Sequence, residues 1–238
     1  MKKLGVIGGL GPMATALFMQ MVIEMTDADT DQEHIEMIIY NCPSIPDRTN
    51  FILGKSVDSP LPAILEIGAK LDKEEVGLVA IPCVTANFFY EQMCEGIKAP
   101  IVDVIGEMVS YLLAHKIKNV GLMATSGTVE SKLFQKAFDK AGLNLIVPDS
   151  QGQADVMSVI YDNVKANKPV ELSKFKGVEQ SLKDAGAEVI ILGCTELSVV
   201  RCDYNIGAGF IDAMQLMAQC CVKNCAKLLP EYEELITQ

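Results

Sequence analysis

The chain has 238 residues, half of them hydrophobic, and carries 20 Lys and Arg against 31 Asp and Glu, a formal net charge of −11. That length supplies one large α/β domain or two smaller ones with a full apolar core. The acidic balance argues against a nucleic-acid partner, which would need a basic patch, and no stretch reaches membrane-spanning length without a charge or a breaker.

Leu4–Gly8 reads as a first strand. Gly9-Leu10-Gly11-Pro12 follows as a loop, with Pro12 suited to the first position of a helix over 13–25. Met1-Lys2-Lys3 before an apolar run resembles a secretory signal only superficially, because Gly8, Gly9, Gly11 and Pro12 interrupt the apolar stretch. A second strand is expected at 35–40, a loop at 41–54, a helix at 62–71, a third strand at 77–81 and a helix at 86–94. A short strand at 101–102 and a helix at 105–115 close the first half. The pattern then restarts: strand at 119–123, loop at 124–128, helix at 129–141, strand at 145–147, helices at 153–166 and 172–185, strand at 189–192, and a helical tail over 212–229. Strands alternating with helices imply parallel sheets with right-handed crossovers.

Two segments look like copies. Gly77-Leu78-Val79-Ala80-Ile81-Pro82-Cys83-Val84-Thr85 and Glu188-Val189-Ile190-Ile191-Leu192-Gly193-Cys194-Thr195 each read as a buried strand ending on Cys, then Thr and a helix start. The two cysteines lie 111 residues apart, and the glycine-bearing strands Gly5-Val6-Ile7-Gly8 and Gly121-Leu122-Met123-Ala124 lie 116 apart. Matching offsets point to a duplicated architecture. An isolated Cys is more often a small buried hydrophobe than a reactive group. A thiol at the carboxyl end of a strand in an open α/β sheet, with a helix N-terminus behind it, is instead placed to meet ligand as thiolate. Two such thiols across a pseudo-symmetric cleft suit chemistry that removes a proton from one face of a carbon and returns it on the other.

Other motifs are weaker. Gly9-x-Gly11-x-x-Ala14 partly matches a dinucleotide fingerprint, but the second strand ends Tyr40-Asn41-Cys42-Pro43 without the acid that would hold a ribose. Arginine occurs only at Arg48 and Arg201. The Asp47-Arg48-Thr49 loop is a candidate carboxylate grip, whereas Arg201 reads as a surface residue. Eight cysteines without a scaffold pattern fit a reducing, cytoplasmic setting. Cys220-Cys221-x-x-x-Cys225 has no nearby histidine and reads as packing, so no metal is expected.

Taken in order, these residues resemble the aspartate/glutamate racemase superfamily, the cofactor-independent amino-acid racemases, and most closely its aspartate racemase branch. The resemblance runs almost end to end. It is carried by Gly8-Gly9-Leu10-Gly11-Pro12-Met13-Ala14-Thr15, Asp31-Gln32-Glu33-His34, Ile45-Pro46-Asp47-Arg48-Thr49, Pro82-Cys83, Ala124-Thr125-Ser126-Gly127-Thr128, Ile160-Tyr161 with Lys165, and Gly193-Cys194-Thr195-Glu196. It implies two similar α/β lobes, 1–100 with 209–238 and 101–208, and an active site between them. It implies Cys83 and Cys194 as the two acid/bases, and Arg48 and Lys165 as positive charge for the substrate. Thr85, Thr125 and Thr195 would hold the α-carboxylate and amine, and Glu196 would bind the ammonium or orient a neighbour. Leu10, Val84, Ser126 and Thr128 complete the expected substrate-binding set. No cofactor is implied, the partner is a small amino acid or dicarboxylate, and the implied assembly is a homodimer.

The chain departs from the family's usual Cys-Asn-Thr-Ala-His after strand three, having Cys83-Val84-Thr85-Ala86-Asn87. Val84 cannot donate to the α-carboxylate, and Asn87, one turn away, is left as a substitute that recovers some of that polarity. An acidic amino acid is the expected substrate. The same superfamily includes cysteine-dependent decarboxylases and cis–trans isomerases of small dicarboxylates, and a non-catalytic small-acid binding protein is the third reading.

Overall fold

The computed structural model describes residues 2–238. Two parallel sheets organise it. In the first, β1 (Leu4–Gly8) lies between β2 (Met37–Asn41) and β3 (Leu78–Ala80), with Leu4 in register with Met37 on one side and Leu78 on the other. In the second, β4 (Asn119–Met123) lies between β5 (Asn144–Ile146) and β6 (Val189–Leu192), and β7 (Phe210–Asp212) extends the far side of β6. β1, β3, β6 and β7 are buried at every residue. Unbroken apolar strands of this kind belong to parallel sheets covered on both faces.

In the first half the covering helices are α1 (Pro12–Met25), α2 (Arg48–Ile52), α3 (Leu61–Lys73) and α4 (Tyr90–Gly96), and α5 (Val104–Ala114) then crosses to pack on the second. In the second they are α6 (Ser126–Glu130), α7 (Leu133–Ala141), α8 (Ser150–Ser158), α9 (Leu172–Asp184) and α10 (Thr195–Asp203), before the tail helix α11 (Ala213–Cys225). The expected two-sheet α/β architecture is therefore present. Ile81, Cys83 and Phe89 belong to a core confined to the first half, and Cys194, Leu197 and Phe210 to one confined to the second. The largest apolar cluster joins the halves, running from Val6 and Phe18 through Met217 and Cys221 to Leu122 and Ile191. α11 supplies much of that bridge, and its Cys220, Cys221 and Cys225 are all buried, as their packing role requires.

Several local differences from the sequence expectation bear on the site. Residues 48–52 fold as α2 rather than loop, because Asp47 caps them by accepting from the Asn50 amide at 2.7 Å. The chain after Cys83 begins as a tight 3₁₀ turn, Val84–Phe89, before α4. The helix expected at 129–141 divides in two at Lys132, whose φ is +57°. The helix expected at 153–166 passes into a π-helix, Val159–Val164, in which the Lys165 amide reaches the Ile160 carbonyl at 2.9 Å. α10 and β7 had not been expected as full elements. Since β7 pairs with β6, the chain remains in the second sheet through Asp212, and we propose that the return to the first lobe begins there rather than at 209.

Candidate active site

Both cysteines stand at the carboxyl ends of equivalent strands. Cys83 follows β3 through Ile81-Pro82, and Cys194 follows β6 through Gly193. Each has extended backbone, with φ −158° and −142°, and each is the first residue before a helical turn. The 3₁₀ turn follows one and α10 the other. The duplicated pattern thus becomes a pair of thiols presented from the same position in two sheets.

They line one small cavity together with Leu10, Arg48, Val84, Thr85, Thr125, Lys165, Thr195 and Glu196, all expected at the site. Its volume is about 10 Å³, roughly the room a single water requires. Tyr161, and Asp47 and Thr49 of the loop read as a carboxylate grip, also face it, though none of the three had been given a role of its own. Three expected residues do not line it. The Asn87 amide donates to the Val84 carbonyl at 3.0 Å, so it ties down its own turn. The Ser126 hydroxyl accepts from Gln153 Nε2 at 3.3 Å. Thr128 stands one step behind the wall: its hydroxyl meets those of Thr85 and Thr125 at 2.9 and 3.2 Å, and Thr85 and Thr125 lie 3.1 Å apart. This hydroxyl triangle joins the two halves across the cavity.

Arg48, at the start of α2, is buried. Its Nη2 donates to the Leu10 carbonyl at 2.8 Å and its Nη1 to Pro46 and Ile45 at 3.1 and 3.4 Å. Burial opposes the guanidinium charge, but the neighbouring Cys83, followed by Asp47 and Glu196, outweighs it and holds the pKa above its ordinary value. The Cys194 side is built differently. Its thiol donates to Glu196 Oε2 at 2.9 Å, while Lys165 Nζ holds Glu196 Oε1 at 2.9 Å. Burial first, and then the Glu196 carboxylate, push the Cys194 thiol well above its usual pKa, with Lys165 and the Glu196 backbone amide pulling the other way. Burial likewise works against the Lys165 charge, and Glu196 with the two thiols more than compensates, so its pKa is raised.

The π-turn explains how Lys165 arrives. A π-turn widens the helix by one residue and commonly marks a functional position. Here it sets Lys165 Nζ 5.2 Å from the centre of the Tyr161 ring while Tyr161 donates to Asp47 Oδ2 at 3.2 Å. Burial, with the Asp47 charge adding to it, pushes the Tyr161 phenol up to about 12, so it remains a donor at neutral pH. Two glycines allow the close contacts. A Cβ on Gly11 would stand 2.9 Å from Glu196 Oε1, and one on Gly127 would stand 2.9 Å from Thr49 Cα. No group of His, Cys, Asp and Glu suited to a metal occurs among the described residues, and no described helix is long and apolar enough to cross a membrane.

A profile described as Asp/Glu/hydantoin racemase matches residues 7–221. The chain is 26% identical to the broad-specificity amino-acid racemase RacX of Bacillus subtilis over 91% of its own length and 95% of that protein's. Its fold is similar to the aspartate racemase of Picrophilus torridus, with a TM-score of 0.83 and 29% identity over 98% of both chains. It shares the fold of the Francisella tularensis glutamate racemase solved with D-glutamate, with a TM-score of 0.65 and 18% identity over 93% of this chain and 80% of that one.

Proposed function

The chain belongs to the Asp/Glu/hydantoin racemase family, and from that premise we propose that it is an amino-acid racemase in which Cys83 and Cys194 exchange the α-proton. The observation that carries this reading is the pair of equivalent strand-end thiols on one cavity, set in opposite electrostatic surroundings. Cys83, beside the Arg48 guanidinium, takes the role of base. Cys194, hydrogen-bonded to Glu196, is the acid as a thiol.

In one direction Cys83 takes the α-proton: the Cα–H bond breaks, an S–H bond forms, and the electron pair passes into the carboxylate. Cys194 then gives its proton to the opposite face of Cα and is left as the thiolate. A positioned acid and base account for about 10²–10⁴ of the rate. The remainder comes from fixed donors around the carboxylate as it gains enolate character. The Thr85 and Thr125 hydroxyls, held from behind by that of Thr128, are grouped for that task. Lys165 offsets the negative charge that arrives on Cys194. An amino acid exceeds the room between the thiols, so binding requires the halves to part across the Thr85–Thr125 and Tyr161–Asp47 contacts and to close again around it. The expectation of an acidic substrate comes from the family resemblance, and the two cations that would serve it, Arg48 and Lys165, already face a negative or thiol partner.

Chiral chromatography of each enantiomer of a panel of amino acids, incubated with the protein and no added cofactor, tests the reading. Interconversion of both enantiomers of at least one amino acid is expected. Release of carbon dioxide or a geometric isomer instead would replace it with another reaction.

A further inference from the structure

We infer that the substrate range centres on amino acids with larger uncharged side chains, which lie in a groove along α1 that shares a wall with the cysteine cavity and joins it when the halves part. The inference rests on the racemase reading and names the substrate class of that same site. The groove has a volume of about 1330 Å³, and Leu10, Asp47, Arg48, Lys165 and Glu196 form part of both its wall and that of the cavity. These five residues stand between groove and cavity, so the parting of the halves that binding requires gives a side chain on the reacting carbon the groove to enter, whereas the cavity itself has room for about a water molecule.

The character of that space follows from its lining. One wall is largely apolar: Leu10 ahead of α1 and Met13, Ala14, Leu17 and Met21 along it, with Gln20 and Glu24 of the same helix and Val199 of α10 also lining the groove. Met13 is 64% exposed, far more than an apolar residue with only a packing role needs. Methionine side chains are unbranched and polarisable, so they fit side chains of several shapes. The charged residues of the groove balance, four cationic against four acidic.

Nearest the cavity the cations are engaged. Lys165 holds Glu196 at 2.9 Å, and the Arg48 nitrogens are bonded to backbone carbonyls beside Cys83. The α-ammonium and α-carboxylate of any amino acid find Glu196 and the threonine hydroxyls there. A second carboxylate one or two methylenes further out would have to take Lys165 from Glu196 or stand against Asp47. An uncharged side chain passes both and reaches the apolar wall.

The test is kcat/KM for α-proton exchange with methionine, leucine, alanine, aspartate and glutamate, in the wild-type chain and in Met13→Trp. Exchange with methionine or leucine about tenfold faster than with aspartate is expected, the scale on which an apolar pocket discriminates. Met13→Trp is expected to lower the methionine-to-alanine ratio severalfold. Ala16→Trp, on the same exposed face of α1, gives a second reading should the first variant fold poorly. Aspartate or glutamate matching methionine, or a ratio that neither variant moves, would overturn the inference while leaving the racemase reading intact. No exchange with any amino acid would remove the racemase reading and the inference with it.

Discussion

The Cys83 half and the Cys194 half present the same backbone and opposite surroundings. In both, an apolar parallel strand delivers a cysteine in extended conformation to the same cavity. Beside Cys83 stands a buried guanidinium anchored on three carbonyls; beside Cys194 stands a carboxylate that accepts a hydrogen bond from its thiol. The duplication therefore supplies geometry, and the residues that differ between the copies supply polarity. Arg48 comes from α2, which closes over the first half. Glu196 comes from the first turn of α10, and Lys165 from the π-turn that leads out of α8. A symmetric pair of thiols needs such a difference to hold one as base and one as acid, since two coupled sites do not titrate independently.

Three substitutions probe that difference, from the largest expected effect to the smallest. Arg48→Lys keeps a positive charge but not the fork that spans the Leu10 and Pro46 carbonyls. A loss of about 10²–10³ in kcat is expected, the scale of removing one preorganised electrostatic group, with circular dichroism showing the fold retained. Wild-type kcat would mean the guanidinium is structural filler. Glu196→Gln removes the negative charge that raises the Cys194 pKa and releases Lys165 to lower it further. The sign follows: the Cys194 thiol then loses its proton at lower pH, so the alkaline limb of the kcat/KM profile moves in the acid direction. A limb that stays in place would detach Glu196 from Cys194. Gly127→Ala drives a Cβ to within 2.9 Å of the Thr49 backbone, where α6 meets α2. It should hold the halves apart, raising KM severalfold more than it lowers kcat. Unchanged constants would show that closure does not run through this contact.

A fourth substitution lies away from the thiols and marks the baseline for structural effects. Asp212 is buried where the chain leaves the second sheet. It accepts from Ser198 Oγ at 2.7 Å and from the Met214 amide at 2.8 Å at the start of α11, with Arg201 Nη1 3.5 Å away. Arg201 thus serves this buried carboxylate rather than open surface. Asp212→Ala should cost about 1–3 kcal/mol through the lost cap and hydrogen bonds. In a chain of this size each kcal/mol lowers Tm by roughly 2–4 °C. Calorimetry checks this, with kcat expected to change less than in any of the three site variants.

What the sequence made legible was the part written as contiguous pattern. Leu4–Gly8, Asn119–Met123 and Val189–Leu192 are strands with the bounds their apolar runs imply. Both cysteines stand where their strands end, and ten of the expected site residues share one cavity. Tertiary contacts decided the rest. Residues 48–52 carry no apolar periodicity of helical length, and only the Asp47 cap signals a helix there. The π-turn before Lys165 leaves no trace in composition. Tyr161 and Asp47 enter the site because they meet each other across 114 positions, which no local window contains. Asn87, read as a substitute donor, is held by the Val84 carbonyl instead.

The most direct measurement of the central claim is deuterium uptake at the substrate α-carbon in D₂O, followed by proton NMR for the wild-type chain, Cys83→Ala and Cys194→Ala. Both enantiomers should acquire deuterium with the wild type, and racemisation should fall at least about a hundredfold in each variant. Racemisation at the wild-type rate with either thiol removed would contradict an exchange of the proton between two sulfurs.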